Sequence, residues 1–209
     1  MESEPSARIE ELGQGAVTVP RPAATVILLR GGGASLEVLL VRRTPHARFM
    51  AGAWVFPGGA VDRGEGAGDA GLRAAALREL VEEAGIALGD PEQLVPFARW
   101  ITPARVKTRY DTWFYLAPAP AGAQPQIDGA EVIDAGWYSP SDALAAARRG
   151  ELSLVFATVK QLQQLSGFRC ADDLIAYARG RQIRPIEPRV VGSGETMRIL
   201  LPGEPGYDG

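Results

Sequence analysis

The residues that most often carry metal or nucleophilic chemistry are nearly missing: one histidine, His46, and one cysteine, Cys170, in 209 residues. A single cysteine forms no intrachain disulfide, so the fold must rest on its packed core. Zinc centres built from Cys and His are excluded for the same reason. A Ser-His-Asp or Cys-His enzyme would have to run through His46 alone. Lysine is scarce too, with Lys107 and Lys160 standing against 20 arginines. That reads as a compositional bias, so an isolated arginine says little about phosphate binding. No apolar run approaches the roughly 18 residues of a membrane helix. The net charge is only −3, from 25 acidic and 22 basic residues, and no field of one sign points to nucleic acid. The opening MESEPSARIE is acidic and polar, unlike a signal peptide. The expectation is a cytoplasmic protein with neither a nucleic-acid nor a membrane partner.

What is present supports a globular domain, since 46% of the residues are hydrophobic and can bury a core. Any metal would have to be held by carboxylates, which favours a hard ion, Mg2+ or Mn2+. Residues 1–22 read as a loose polar arm. Ala24 to Arg30 and Leu36 to Arg43 are apolar runs around Gly31-Gly32-Gly33 and predict a hairpin or adjacent strands. Ala53 to Phe56 predicts a brief strand stopped by Pro57-Gly58-Gly59. The run LRAAALRELVEEAGI predicts the clearest helix, with Gly85 as its left-handed cap. Strands follow at Leu94 to Thr102, Tyr110 to Leu116 and Val132 to Tyr138. DALAAARR, capped by Ser139 or Ser141, SLVFATVKQLQQL and ADDLIAYARG predict three further helices. Residues 23–183 thus form one α/β domain, with Cys170 as a small buried apolar residue in a helix and 184–209 as a tail.

On the central helix, Glu79, Glu82 and Glu83 share an arc of roughly 100°. Leu77, Leu80, Val81 and Ala84 fall on the opposing arc and are expected to pack on a sheet. Carboxylates spaced i, i+4 repel one another, and a cation between them would relieve that repulsion. Taken alone, the triplet also suits an ordinary solvated helix face.

Its surroundings point to the first reading. Gly59-x5-Glu65 stands upstream, and Arg78-Glu79-Leu80-Val81-Glu82-Glu83-Ala84-Gly85-Ile86 follows. Together they resemble the signature of the Nudix hydrolases, G-x5-E-x7-R-E-U-x-E-E-x-G-U with U apolar. There is one departure: 12 residues separate Glu65 from Arg78 instead of seven. The loop glutamate's role in orienting the helix arginine is therefore in doubt for Glu65, with Asp62 and Asp69 as substitutes or plain loop residues. Before the glycine loop, Leu39-Leu40-Val41-Arg42-Arg43-Thr44 continues through Arg48 and Gly52 to Phe56-Pro57-Gly58-Gly59. This is similar to the accessory pattern of the coenzyme A diphosphatase branch, L-L-T-x-R-S-x3-R-x3-G-x3-F-P-G-G, with Val41 for Thr and Thr44 for Ser. Some members of that branch, notably peroxisomal ones, also carry an insertion within the signature.

The resemblance implies a Nudix α/β/α sandwich with a mixed sheet and a helical C-terminal extension. It implies hydrolysis of a phosphoanhydride in a small nucleotide-type substrate, assisted by Mg2+ or Mn2+. Glu79, Glu83 and Glu82 would hold the metal with the Gly59 carbonyl. Arg78 joins the catalytic group, and Glu82 or Glu131 would take the proton of the attacking water. Arg43, Arg48, Gly52, Phe56 and Gly58 would meet the substrate. Coenzyme A or an acyl-coenzyme A is the first expectation. ADP-ribose, a dinucleotide or a nucleoside triphosphate is the alternative. The intact glutamates weigh against a third reading, a Nudix-fold module that binds a nucleotide without cleaving it. Thr108-Arg109-Tyr110-Asp111-Thr112 and Glu131-x5-Trp137 resemble the same branch. A homodimer is the assembly the resemblance leaves open.

Overall fold

In the computed structural model, residues 11–13, 15–33, 35–193 and 196–208 are described. The first ten residues of the expected arm lie outside that set. The hairpin is present as β1 (Arg21–Arg30) and β2 (Glu37–Arg43), paired antiparallel. A short β3 (Trp54–Val55) adds to β2. The glycines that were expected to stop it form a strand of their own, β4 (Gly58–Ala60), antiparallel to β1 with Ala24 opposite Gly59. The glycines are needed there by contact: a Cβ at Gly58 would stand 2.5 Å from the Ala24 carbonyl oxygen.

The helix α1 (Gly68–Ala84) is followed by β5 (Val95–Ile101), β6 (Tyr110–Pro118) and β7 (Val132–Tyr138). Helices α2 (Pro140–Arg148), α3 (Phe156–Leu165) and α4 (Ala171–Arg179) come next. Ser139 is the residue that caps α2, its hydroxyl oxygen accepting from the Asp142 N–H at 3.1 Å. Cys170 is half-buried at the N-terminal cap of α4, not inside a helix. The sequence-based tail also contains strands: β8 (Pro185–Ile186), which runs parallel to β5, and β9 (Arg189–Val191), which pairs with β10 (Arg198–Leu200).

The main sheet has the order β3-β2-β1-β6-β5-β8, with β4 on β1 and β7 on β2. It is mixed, because β1 runs parallel to β6 while β5 and β6 are antiparallel. Side chains alternate across a strand, and the two faces bury separate cores. Val26, Leu28, Leu39, Val41 and Tyr115 pack toward α1. Ile27, Leu29, Val38, Leu40 and Leu116 pack toward α2, α3 and α4. Coverage on both faces explains why β1 and β2 read as unbroken apolar runs. Among the described residues no helix is long and apolar enough to cross a membrane.

Candidate active site

Two local devices aim groups at one point between α1 and the sheet. Alternation along β2 places Arg43 on the same face as Leu39 and Val41, toward α1. On α1, Glu83 turns inward and is only 3% exposed. The expected acidic arc is therefore split. At about 100° per residue, Glu83 stands roughly 60° from the buried Leu80, whereas Val81 stands roughly 100° beyond it. Glu83 joins the packed stripe and Val81, expected inside, is 47% exposed.

Glu83 is held from both sides. Its Oε2 accepts from the Gly58 backbone N–H at 2.9 Å, and its Oε1 from Arg43 Nη1 at 3.1 Å. Arg43 Nε also donates to the Phe49 carbonyl at 3.2 Å. Burial pushes the Glu83 carboxyl up to about 7, against the pull of Gly58 and Arg43, and the nearby Glu79 and Glu131 charges add to the rise. Burial likewise raises Glu79 above the ordinary carboxylate value, despite its bond to Arg78.

Arg78 is a hub. Its Nε donates to Glu65 Oε1 at 2.8 Å, its Nη1 to Glu79 Oε1 at 2.7 Å and Glu82 Oε2 at 2.8 Å, and its Nη2 to the Ala60 carbonyl at 3.0 Å. Glu65 thus orients the helix arginine in spite of the insertion, which removes the doubt raised by the spacing. The extra residues lie in the N-terminal turns of α1, which begins at Gly68 where the sequence predicted residue 72. Asp62 stands only at the margin, 3.8 Å from Arg78. Asp69 is no loop residue: it occupies the first turn of α1, accepting from Arg73 Nε at 2.6 Å and from the Tyr115 hydroxyl at 3.0 Å.

A cavity of about 260 Å³ opens here, with Glu79, Glu83 and Glu131 as its carboxylates and Arg43 as its arginine. Gly58, Gly59 and Phe56 also form its wall. Other expected residues are elsewhere. Glu82 is outside the wall, its side chain 57% exposed and tied to Arg78. Arg48 is exposed on the loop after β2, away from the wall. Gly52 closes that loop with φ +70°, donating to the Thr44 carbonyl. Trp137 packs under Arg30, at 4.3 Å from ring centroid to guanidinium, and does not reach the cavity. Arg109 and Asp111 serve structure: Arg109 binds the Thr102 and Thr18 carbonyls, and Asp111 forks with Arg99. His46 is an exposed loop residue.

Phe49, Met50, Thr25 and Thr158 line the cavity and escaped the sequence reading. The signal for the first two was their position between Arg48 and Gly52. Nothing in the local sequence marked Thr158, which arrives from α3.

The donor set suits a hard divalent cation: carboxylate oxygens from the buried Glu83 and the partly buried Glu79, beside backbone oxygen. Gly59 lets Glu79 approach the backbone so closely that a Cβ would lie 2.2 Å from Oε1. Among the described residues, three such side chains are not gathered into a finished metal cage; Arg78 and Arg43 hold Glu79 and Glu83 instead.

The model of the NUDIX domain matches residues 19–157. A Caenorhabditis elegans protein named as nudix hydrolase 7 is 28% identical over 85% of this chain and 70% of its own. The acyl-coenzyme A diphosphatase NUDT19 of Homo sapiens is 23% identical over 82% of this chain and 72% of its own. Among solved structures, a NUDIX hydrolase from Alicyclobacillus acidocaldarius superimposes with a TM-score of 0.69 at 28% identity, covering 77% of this chain and 97% of that one.

Proposed function

The chain belongs to the NUDIX domain family, and from that premise we propose a metal-assisted diphosphatase that cleaves coenzyme A or an acyl-coenzyme A. The products are 3′,5′-ADP and the matching 4′-phosphopantetheine. As a Nudix hydrolase it acts on a phosphoanhydride bond of a small nucleotide-type substrate. The observation that carries the reading is the cavity lined together by Glu79, Glu83, Glu131, Arg43 and the glycines of β4. Glu79 and Glu83 would hold Mg2+ or Mn2+, with the Gly59 carbonyl as a neutral donor. When bound, the metal neutralises diphosphate charge and lowers the pKa of a water.

The chain's own residues do the rest. Arg43 lines the same cavity and would donate to phosphate oxygens, for which its planar fork is suited. Glu131 takes the water's proton, since it lines the cavity while Glu82 is engaged with Arg78. Arg78 positions Glu79. Arg48 stands on the loop whose Phe49 and Met50 form the wall, and it reaches phosphates that project beyond the cavity. Support for coenzyme A within the family is the accessory pattern around Arg43 and Phe56 and the likeness to a human acyl-coenzyme A diphosphatase.

The test is a panel of coenzyme A, ADP-ribose, a dinucleoside polyphosphate and a nucleoside triphosphate, each with Mg2+ and Mn2+, products resolved by chromatography. Coenzyme A should give the highest kcat/KM. Good cleavage of ADP-ribose beside none of coenzyme A would reject the substrate and spare the enzyme class. Glu83→Gln should abolish turnover with folding intact by circular dichroism. Glu131→Gln should lower kcat by about 10²–10⁴-fold, the range of a lost general base.

A further inference from the structure

Beside the carboxylate cavity lies a second one of about 120 Å³. The two share a wall built by Phe49, Met50, Tyr110, Phe114 and Val155. Tyr110, Thr112 and Phe114 alternate along β6 and so present one face to both spaces. The far side of the second space comes from the C-terminal segment, through Pro188, Val190 and Ile199, and from Trp100 and Phe156. Among the described residues no charged side chain lines it. Its side-chain polar groups are uncharged: the Thr102 and Thr112 hydroxyls, the Tyr110 phenol and the Trp100 indole N–H. One space is thus made for charge and its neighbour for apolar atoms.

The dividing loop shows a second sign of purpose. Met50 has φ +53°, the one non-glycine residue with positive φ among those described. A left-handed methionine is costly and persists where its surroundings impose it, as they do at binding sites. Phe49 beside it is fixed edge-on against Tyr110, ring centroids 5.1 Å apart. The loop holds both side chains at the boundary of the two spaces.

We propose that the apolar chamber lined by Trp100, Phe156, Val190 and Ile199 binds a short acyl or alkyl group carried by the same substrate whose diphosphate occupies the carboxylate cavity. The inference rests on the reading of that cavity as the diphosphate site. An apolar cavity of about 150 Å³ takes a benzene-sized guest, so the chamber suits a group of about four to six carbons. Long chains gain nothing beyond the part that fits. The chamber therefore selects among acylated substrates by chain length, and the C-terminal segment takes part in substrate selection.

Calorimetric binding in EDTA, without turnover, tests this with two series: coenzyme A bearing acetyl, butanoyl, hexanoyl or dodecanoyl groups, and ADP β-alkyl esters of the same lengths. Affinity should rise about fourfold per added methylene while the chain fills the chamber and then level off, at about six carbons in the coenzyme A series. The ADP esters, whose chain starts at the diphosphate, should level off at a length of their own. In the variant Val190→Ala/Ile199→Ala the levelling point should move to longer chains, an outcome that damaged folding cannot produce. Val190→Trp should flatten the series. A gain in the ADP esters with none in the coenzyme A series sustains the chamber and rejects coenzyme A as substrate. Equal affinity across both series, absence of binding included, overturns the chamber, as does a levelling point unmoved in the enlarged variant.

Discussion

Glycine at position 59 is demanded by a neighbour and not by a turn. A Cβ there would meet Glu79 at Oε1 and, at 2.5 Å, at Cδ. Glu79 cannot simply swing aside, because the same Oε1 receives Arg78 Nη1. Gly59→Ala is expected to push the carboxylate out of the cavity wall at a stability cost of about 1–3 kcal/mol, the usual range for overpacking. Cation binding should suffer more than stability does. Ligand binding raises the unfolding midpoint in proportion to affinity, so the Mg2+- or Mn2+-induced rise should shrink in Gly59→Ala by thermal denaturation. Gly64→Ala, which meets open space, is the control and should keep the wild-type rise. An unchanged rise in Gly59→Ala would remove Glu79 and Gly59 from the cation site. The glycine itself was visible in the sequence through the Nudix resemblance. Its reason was not, since the contact exists only once β4 pairs with β1 and lies against α1.

At the scale of elements, α1 was legible in type and in its C-terminal end. Strong helix formers and Gly85 placed both, and Gly85 adopts φ 64°. Its beginning was hidden because the glycines of 64–71 suggested a loop, while long-range bonds hold the first turns. Arg73 Nη1 donates to the Pro91 and Leu94 carbonyls at 2.7 and 2.8 Å, and Asp69 ties Arg73 to the buried Tyr115. Asp69→Ala leaves the Tyr115 hydroxyl buried without its partner and should cost about 1–3 kcal/mol. Asp69→Asn, which keeps an acceptor, should cost less in urea unfolding. The loop before the helix gives a pH signature. Burial disfavours the Glu65 carboxylate, but the bond from Arg78 and the Asp62 N–H outweigh it and hold Glu65 below its ordinary 4.5. A depressed carboxyl adds stability that is full above 4.5 and is lost as pH falls through the folded-state value. The stability gap between wild type and Glu65→Gln should therefore be constant near neutrality and shrink in acid. A gap independent of pH would mean that the Glu65–Arg78 pair forms no ionic link.

Across the whole molecule, most strands followed from hydrophobic pattern, because both sheet faces are covered and β1 and β2 must be apolar throughout, while the layer order came from the Nudix resemblance. The ends were harder. Residues 1–22 and 184–209 are polar or rich in Pro and Gly and carry no period. Among the described residues they are attached by short backbone pairings, such as Gly13 with Arg105 and β8 with β5, and by a few side chains from far away in sequence. Arg109 is the chief of these. Its side chain is 6% exposed, and it donates to the Thr102 carbonyl at 2.9 Å, the Thr18 carbonyl at 2.8 Å and Glu187 at 2.6 Å. One guanidinium thus joins the arm, the loop after β5 and the segment that carries the apolar chamber. Glu187 is 40% exposed, so its pair with Arg109 belongs between the surface and the buried regimes. Surface pairs contribute about 0–1 kcal/mol, and broken buried pairs cost about 3–5 kcal/mol. In a double-mutant cycle with Arg109→Met and Glu187→Gln, read by urea denaturation, the coupling should come out at about 1 kcal/mol. Arg109→Met alone should cost about 2–3 kcal/mol, because charge-assisted bonds to two backbone carbonyls go with it. A coupling indistinguishable from zero would detach residues 185–191 from the domain's stability. It would also predict that Glu187→Gln leaves the chain-length preference of the apolar chamber untouched, whereas a coupled pair requires that preference to weaken as the segment loosens.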